Sequence, residues 1–227
     1  PPPPPPPVRY EIHFWDYPAG PTTSTSVWDL NDAGQIVGGY RTPHGESHAF
    51  LYNSETDVML DLHAAYSGPG APIPDGWTIA TAKSINKDGV MVGKLVETGN
   101  ANGTPSIPFI LDPQTMNQIV LLPFFGPDGS TTGYLWINDN WDILTIYNNA
   151  DGSRGAYVFN YLQYLLGDST LQFVPGVLTN GGRTISLNNP TATRAAQVSG
   201  NFSNGTVFRW TIGPSGGLET FSGLTGP

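Results

Sequence analysis

Two stretches of this chain decide its fold. The first is Val27-Trp28-Asp29-Leu30-Asn31-Asp32-Ala33-Gly34-Gln35-Ile36-Val37-Gly38 and the second is Ala82-Lys83-Ser84-Ile85-Asn86-Lys87-Asp88-Gly89-Val90-Met91-Val92-Gly93. Each is an apolar run, an Asn-x-x-Gly turn and a second apolar run, the pattern of two strands closed by a short loop. Asn suits such a turn because its side chain bonds its own backbone, and Gly because it accepts positive φ. A weaker copy occupies 133–144, and a fourth occupies 184–190 and resumes at 196–200. With Asn31, Asn86, Asn138 and Asn188 aligned, the steps are 55, 52 and 50 residues.

Working outward, an aromatic-aliphatic run follows each anchor: His48-Ala49-Phe50-Leu51-Tyr52, then 108–112, 156–159 and 206–210. A last short strand is expected at 58–62, 118–122, 171–174 and 218–221. Helical periodicity is missing, apart from a short run at 161–166. Four antiparallel strands at a period near 50 predict an all-β chain folded as a four-bladed β-propeller of four-stranded blades.

The strand count leaves a remainder. Tyr10-Glu11-Ile12-His13-Phe14-Trp15 precedes Val27 much as the 171–174 run precedes Ile185, which brings the count to seventeen where four blades need sixteen. A surplus terminal strand carries unpaired backbone groups that another chain can pair with, and head-to-tail pairing builds an open filament. The residues expected to carry such assembly are Tyr10, Ile12 and Phe14 at one end and Leu218, Thr220 and Phe221 at the other. The expected organisation is therefore a polyproline II arm or linker over 1–7, about 22 Å long, and one propeller domain over 8–227. Its units fall roughly at 8–53, 54–112, 113–160 and 161–212, with a closing or exchanged strand at 217–222.

Three segments carry a family resemblance. Leu30-Asn31-Asp32-Ala33-Gly34-Gln35-Ile36-Val37-Gly38-Gly39-Tyr40, Gly45-Glu46-Ser47-His48-Ala49-Phe50-Leu51-Tyr52 and Met59-Leu60-Asp61-Leu62 resemble the HAF-repeat family of bacterial extracellular proteins, named for a His-Ala-Phe tripeptide. The likeness is closest over 27–62 and looser over 82–122, where Ile107-Pro108-Phe109 replaces the tripeptide. It implies a secreted repeat protein with a propeller-like fold and brings no catalytic residue with it.

Composition narrows the partners. Nine Lys+Arg stand against 18 Asp+Glu, a net charge of −9, and the three lysines are unclustered, so the chain lacks the cationic patch that nucleic acid requires. No run of 18 apolar residues occurs, so no membrane span is expected. Cysteine is absent, which removes disulfides and thiolate metal sites. Six Trp within 38% hydrophobic residues argue for a folded core. Low charge with abundant Ser, Thr, Asn and Gly points to an extracellular or cell-surface location, and the missing initiator Met to a processed or excised chain.

Chemistry is sparse. No metal site is assigned to His13, His44, His48 or His63, and His48 is expected to make a structural hydrogen bond within its blade. The Gly-rich stretches are interrupted by proline and offer no phosphate-cradling loop, and no cofactor, catalytic or metal residue is assigned. Asp29 to Gly34 and Asn138 to Asp142 resemble calcium loops but lack the bidentate Glu, and read as turns. The carboxylates Asp16, Asp29, Glu46, Asp57 and Asp61 offer no spacing that selects a glycosidase pair. Of Trp15, Trp28, Trp77, Trp136, Trp141 and Trp210, four are expected in the core or between blades, and exposed ones can stack on sugars. Asn102, Asn201 and Asn204 begin glycosylation sequons.

These features lead to a non-catalytic extracellular structural or interaction protein that self-associates into a filament. A carbohydrate-binding, lectin-like propeller is the alternative. A glycan-active enzyme with a carboxylate site in the central channel comes third.

Overall fold

The Asn-x-x-Gly pattern sets the fold through its own hydrogen bonds. In the computed structural model, the Asn31 Oδ1 accepts from the amides of Ala33 (3.1 Å) and Gln35 (3.0 Å), and Gly34 closes the turn at φ +68°. Asn86 repeats this with Asp88 (3.1 Å) and Val90 (2.9 Å), and Gly89 takes φ +80°. Asn138 does so with Asn140 (3.0 Å) and Asp142 (2.9 Å), and Asn188 accepts from Gln197. In the third turn Trp141 occupies the glycine slot at φ +65°. A side chain there costs on the order of 1–2 kcal/mol. The Trp141 indole stacks on Tyr161 (6.0 Å, 6°) and donates to the Asp88 carboxylate (3.1 Å), which offsets the strain.

The structure describes residues 24–71, 73–100, 106–113, 119–122, 131–148, 154–167, 172–174, 185–190, 195–201, 206–213 and 217–221. These form four antiparallel four-stranded sheets, each from one contiguous stretch with its strands in sequence order. Sheet 1 holds β1 (Ser24–Leu30), β2 (Gln35–Arg41), β3 (Ser47–Asn53) and β4 (Val58–Asp61). Sheet 2 holds β5 (Trp77–Ile85), β6 (Met91–Glu97), β7 (Ser106–Leu111) and β8 (Ile119–Leu121). Sheet 3 holds β9 (Thr131–Ile137), β10 (Asp142–Asn148), β11 (Arg154–Asn160) and β12 (Gln172–Phe173). Sheet 4 holds β13 (Ile185–Leu187), β14 (Gln197–Asn201), β15 (Val207–Thr211) and β16 (Leu218–Phe221).

Two features differ from the sequence expectation. The expected unit boundaries at 53/54, 112/113 and 160/161 fall between the third and fourth strands of their sheets, because each fourth strand pairs back on the third. The second is the helix α1 (Leu62–Tyr66), which no periodicity announced. The Asp61 side chain caps it by accepting from the Ala64 amide at 3.0 Å. The companion helix α2 (Tyr161–Leu165) is capped in the same way by Asn160 and falls within the short run read at 161–166.

The core lies between successive sheets. Val37, Ala49, Leu62, Ile79, Met91, Leu95 and Phe109 pack between sheets 1 and 2. Val92, Ile110, Leu135, Ile143 and Phe159 pack between sheets 2 and 3, and Leu144, Val158, Val198, Phe208 and Trp210 between sheets 3 and 4. In sheets 1, 2 and 4 a glycine lets the second strand approach its neighbours. Gly38 faces Phe50, Gly93 faces Phe109 and Gly200 faces Phe208 across the β2–β3, β6–β7 and β14–β15 pairs. A Cβ on Gly93 would stand 2.1 Å from the Thr81 carbonyl oxygen and 2.7 Å from the Phe109 ring.

Neighbouring sheets are also tied by polar bonds. The Asn31 side-chain amide donates to the Asn86 carbonyl (2.9 Å), Asn86 to Asn138 (3.5 Å), and Asn138 to Asn188 (3.2 Å). The sequence separations of 55, 52 and 50 are the repeat steps themselves. A second series runs beside it, with the Lys87 amide donating to Asp139 and the Asp139 amide to Asn189, both at 2.8 Å. The anchor asparagine thus holds its own turn and the next sheet.

Candidate functional site

The residues just before each anchor converge. Trp28, Asp29 and Leu30 from β1, Lys83, Ser84 and Ile85 from β5, Trp136 and Ile137 from β9, and Ser186 and Leu187 from β13 line one cavity of about 290 Å³, with Asn189 beyond. First strands of all four sheets therefore share a single site.

Two of these side chains are aimed by backbone irregularity. Val27 faces Gly38 and Asp29 faces Val37, which leaves Trp28 as the extra residue of a β-bulge. Ala82 faces Gly93 and Ser84 faces Val92, so Lys83 is the extra residue of a second bulge at the equivalent repeat position. Bulges redirect a side chain out of the sheet's alternation and are common beside functional sites. Here they bring the Lys83 ammonium over the Trp28 ring, 2.9 Å from its centroid. Burial, with some repulsion from Lys94, lowers the Lys83 pKa to about 8.

The cavity's carboxylate is already engaged. Asp29 Oδ2 accepts from the Ser84 hydroxyl (2.7 Å) and the Ile85 amide (3.1 Å), and Oδ1 from the Leu30 amide (2.9 Å). Ser84 Oγ in turn accepts from the Ile137 amide at 3.2 Å. This network ties sheets 1, 2 and 3 at the cavity wall. Among the described lining residues Asp29 is the one carboxylate, so a pair of acid and base carboxylates is not assembled there.

A second polar cluster surrounds the His-Ala-Phe tripeptide. His48 Nδ1 donates to Asp61 Oδ2 (2.8 Å), which also accepts from the Tyr40 hydroxyl (2.7 Å). The His48 ring meets His63 edge-on with centroids 4.8 Å apart, and Ala49 and Phe50 are fully buried. His48 thus fastens β3 to β4, the structural bond expected of it. Burial would raise the Asp61 pKa, but the hydrogen bonds from His48, Ala64 and Tyr40 outweigh it and hold it at about 2.

A carboxylate depressed from 3.8 stabilises the fold above pH 4 and loses that contribution as pH falls towards 2. Asp61→Asn is expected to lower stability at neutral pH by about 2 kcal/mol and to flatten the acid limb between pH 4 and 2. Urea melts across that range check this; parallel acid limbs for both proteins would contradict the assignment.

Other expected positions fall as follows. Leu218, Thr220 and Phe221 lie on β16, exposed and paired with β15; Tyr10, Ile12 and Phe14 are outside the described residues. Sixteen strands fill the four sheets, and β16 closes sheet 4 itself, so the described residues contain no surplus strand. Asn201 ends β14, while Asn102 and Asn204 lie outside the described residues. Of the indoles, Trp28 is half exposed, Trp210 is buried, and Trp77, Trp136 and Trp141 are partly buried; Trp15 is outside the described residues. Among the described residues no group of three His, Asp or Glu is placed to hold a metal, and no helix is long and apolar enough to cross a membrane.

No family model and no curated protein matches the chain. Among solved structures it is similar to the SapL1 lectin in complex with α-methyl fucoside (TM-score 0.43, 10% identity, 88% of this chain and 64% of that one). It is similar also to the Aleuria aurantia lectin in complex with Fucα1-6GlcNAc (TM-score 0.43, 10% identity, 91% and 65%) and with α-methyl-L-fucoside (0.40, 9%, 90% and 80%). The chain spans just under two thirds of the length of the first two.

Proposed function

We propose that this chain is a non-catalytic, extracellular glycan-binding protein, a four-bladed β-propeller whose sugar site is the cavity at the first strands. One observation carries the reading: two indoles, Trp28 and Trp136, line one cavity with Lys83, Ser84, Ser186 and Asn189. Sugars present flat C–H faces edged by hydroxyls, and such ligands need an aromatic surface with a few fixed polar groups beside it. The four sheets, their order and the shared cavity support the propeller.

The test is a glycan array followed by titration of the best ligand. Trp136→Ala is expected to weaken binding on the order of ten- to thirty-fold without unfolding the chain. Binding unchanged by both Trp136→Ala and Trp28→Ala would reject this cavity as the site.

Self-association is the second reading, and the observation favouring it is β16. This strand is the last of its sheet, and Leu218 and Phe221 are exposed on it (40% and 43%). Strand exchange through Tyr10, Ile12 and Phe14 or through Leu218, Thr220 and Phe221 would give up the β15–β16 pairing for the same bonds between chains. Light scattering on the same material separates monomer from polymer. The HAF-repeat resemblance belongs to this proposal too, resting on the residues of sheet 1 that carry it.

A further inference from the structure

We propose that the cavity selects an acidic sugar, a uronate whose carboxylate pairs with Lys83 while its hydroxyls meet the polar wall of Ser186 and Asn189. This rests on the glycan-binding reading and narrows it to a ligand class.

The argument begins with an uncompensated charge. The chain is strongly acidic, with 18 Asp+Glu and only three lysines. Two of those three, Lys83 and Lys94, are close enough to repel each other, and Lys83 lines the cavity. Among the described residues no carboxylate lies within 4.0 Å of the Lys83 ammonium. Asp29, the obvious partner, has both oxygens engaged by Ser84, Ile85 and Leu30. What the ammonium meets is the face of Trp28.

Such a cation is costly to keep half-buried, and its lowered pKa records that cost. A bulge has nevertheless placed it at the cavity wall, and a lysine confined to packing needs no such device. A neutral sugar would offer the ammonium hydroxyl acceptors but no opposite charge. A carboxylate would complete a charge-assisted hydrogen bond, among the stronger polar contacts available. The remaining lining chemistry fits a hydroxylated ring: Ser186 and Asn189 are polar, uncharged and exposed, with the Trp136 indole beside them.

The titratable groups facing Lys83 are Asp29 on β1 and Lys94 on β6; the lining residues from β9 and β13 are uncharged. Lys83 is cationic below pH 8 and neutral above it, so uronate binding weakens as pH rises through 8.

The experiment uses the full chain and four monosaccharides, glucuronate and galacturonate against glucose and galactose, with acetate as the carboxylate lacking a ring. Calorimetric titration at pH 6.5 is expected to show a uronate bound at least about ten-fold more tightly than its neutral counterpart. Lys83→Gln should abolish that preference and Lys83→Arg should keep most of it, with unchanged melting curves confirming the fold. Glucose or galactose binding as tightly as its uronate would overturn the acidic-sugar assignment and leave the glycan site standing. Acetate binding as tightly as the uronates, or no binding by any sugar, would overturn both.

Discussion

Replacing Gly93 by alanine is expected to destabilise the fold by about 3 kcal/mol or more. The new Cβ would stand 2.1 Å from the Thr81 carbonyl oxygen, a backbone atom, and within 2.8 Å of the Phe109 ring, which is fully buried. Neither can withdraw. Thr81 belongs to the strand that bulges at Lys83, and Phe109 fills the layer between sheets 1 and 2. In a chain of this size the loss corresponds to a fall in melting temperature of roughly 6–12 °C. Gly68→Ala is the control, because a Cβ there meets nothing within 4 Å. Equal melting temperatures for the two variants would refute the packing described for β6. The same substitution should also loosen the bulge, so ligand affinity should fall with stability.

The second large effect is expected at Asn86, which is 2% exposed. Asn86→Ala removes the acceptor for the Asp88 and Val90 amides and the donor to the Asn138 carbonyl. The Val90 bond is buried, so water cannot replace it, and an orphaned buried group costs about 1–3 kcal/mol on its own. With the other bonds and the small cavity added, the loss should reach about 3–4 kcal/mol. Asn53→Ala gives the comparison: its Oδ1 also accepts from two amides, those of Glu55 and Thr56, but at the surface. There the loss should stay near 1 kcal/mol. Denaturant unfolding of both variants decides the matter, and comparable losses would mean that the link between sheets contributes nothing.

Much of the architecture was legible because the repeat unit is announced by chemistry at fixed spacing. Asn31, Asn86, Asn138 and Asn188 mark four turns, and the apolar runs around them became strands. The third unit was harder to see because Trp141 stands where glycine is wanted, and its compensating contacts, Tyr161 and Asp88, are distant in sequence. Unit boundaries were misplaced because 58–62 and its counterparts read equally well as the end of one unit or the start of the next. Pairing across a hairpin settles that, and pairing is not written in a single strand. The helix α1 was hidden because its periodicity spans barely a turn and its start depends on one cap at Asp61.

The cavity was the least legible feature. Trp28 and Lys83 are the third residue before their anchors and Trp136 is the second before its own, so aligning the repeats by position would have brought them together. That Trp28 and Lys83 sit on bulges could not be read, since a bulge is a mismatch between two strands. Nothing in the sequence told that Asp29, on β1 rather than in the turn, is spent on Ser84 and Ile85, leaving Lys83 with the Trp28 ring and no carboxylate.

The side-chain amides of Asn31, Asn86 and Asn138 point one way along the chain, each to the carbonyl of the next anchor. Each unit therefore presents the same acceptor on one side and the same donor on the other. Copying or deleting a segment of about fifty residues would leave this asparagine joint chemically unchanged. A gene encoding this protein could lengthen or shorten the array by simple duplication or loss, and the site at the first strands would widen or narrow with it.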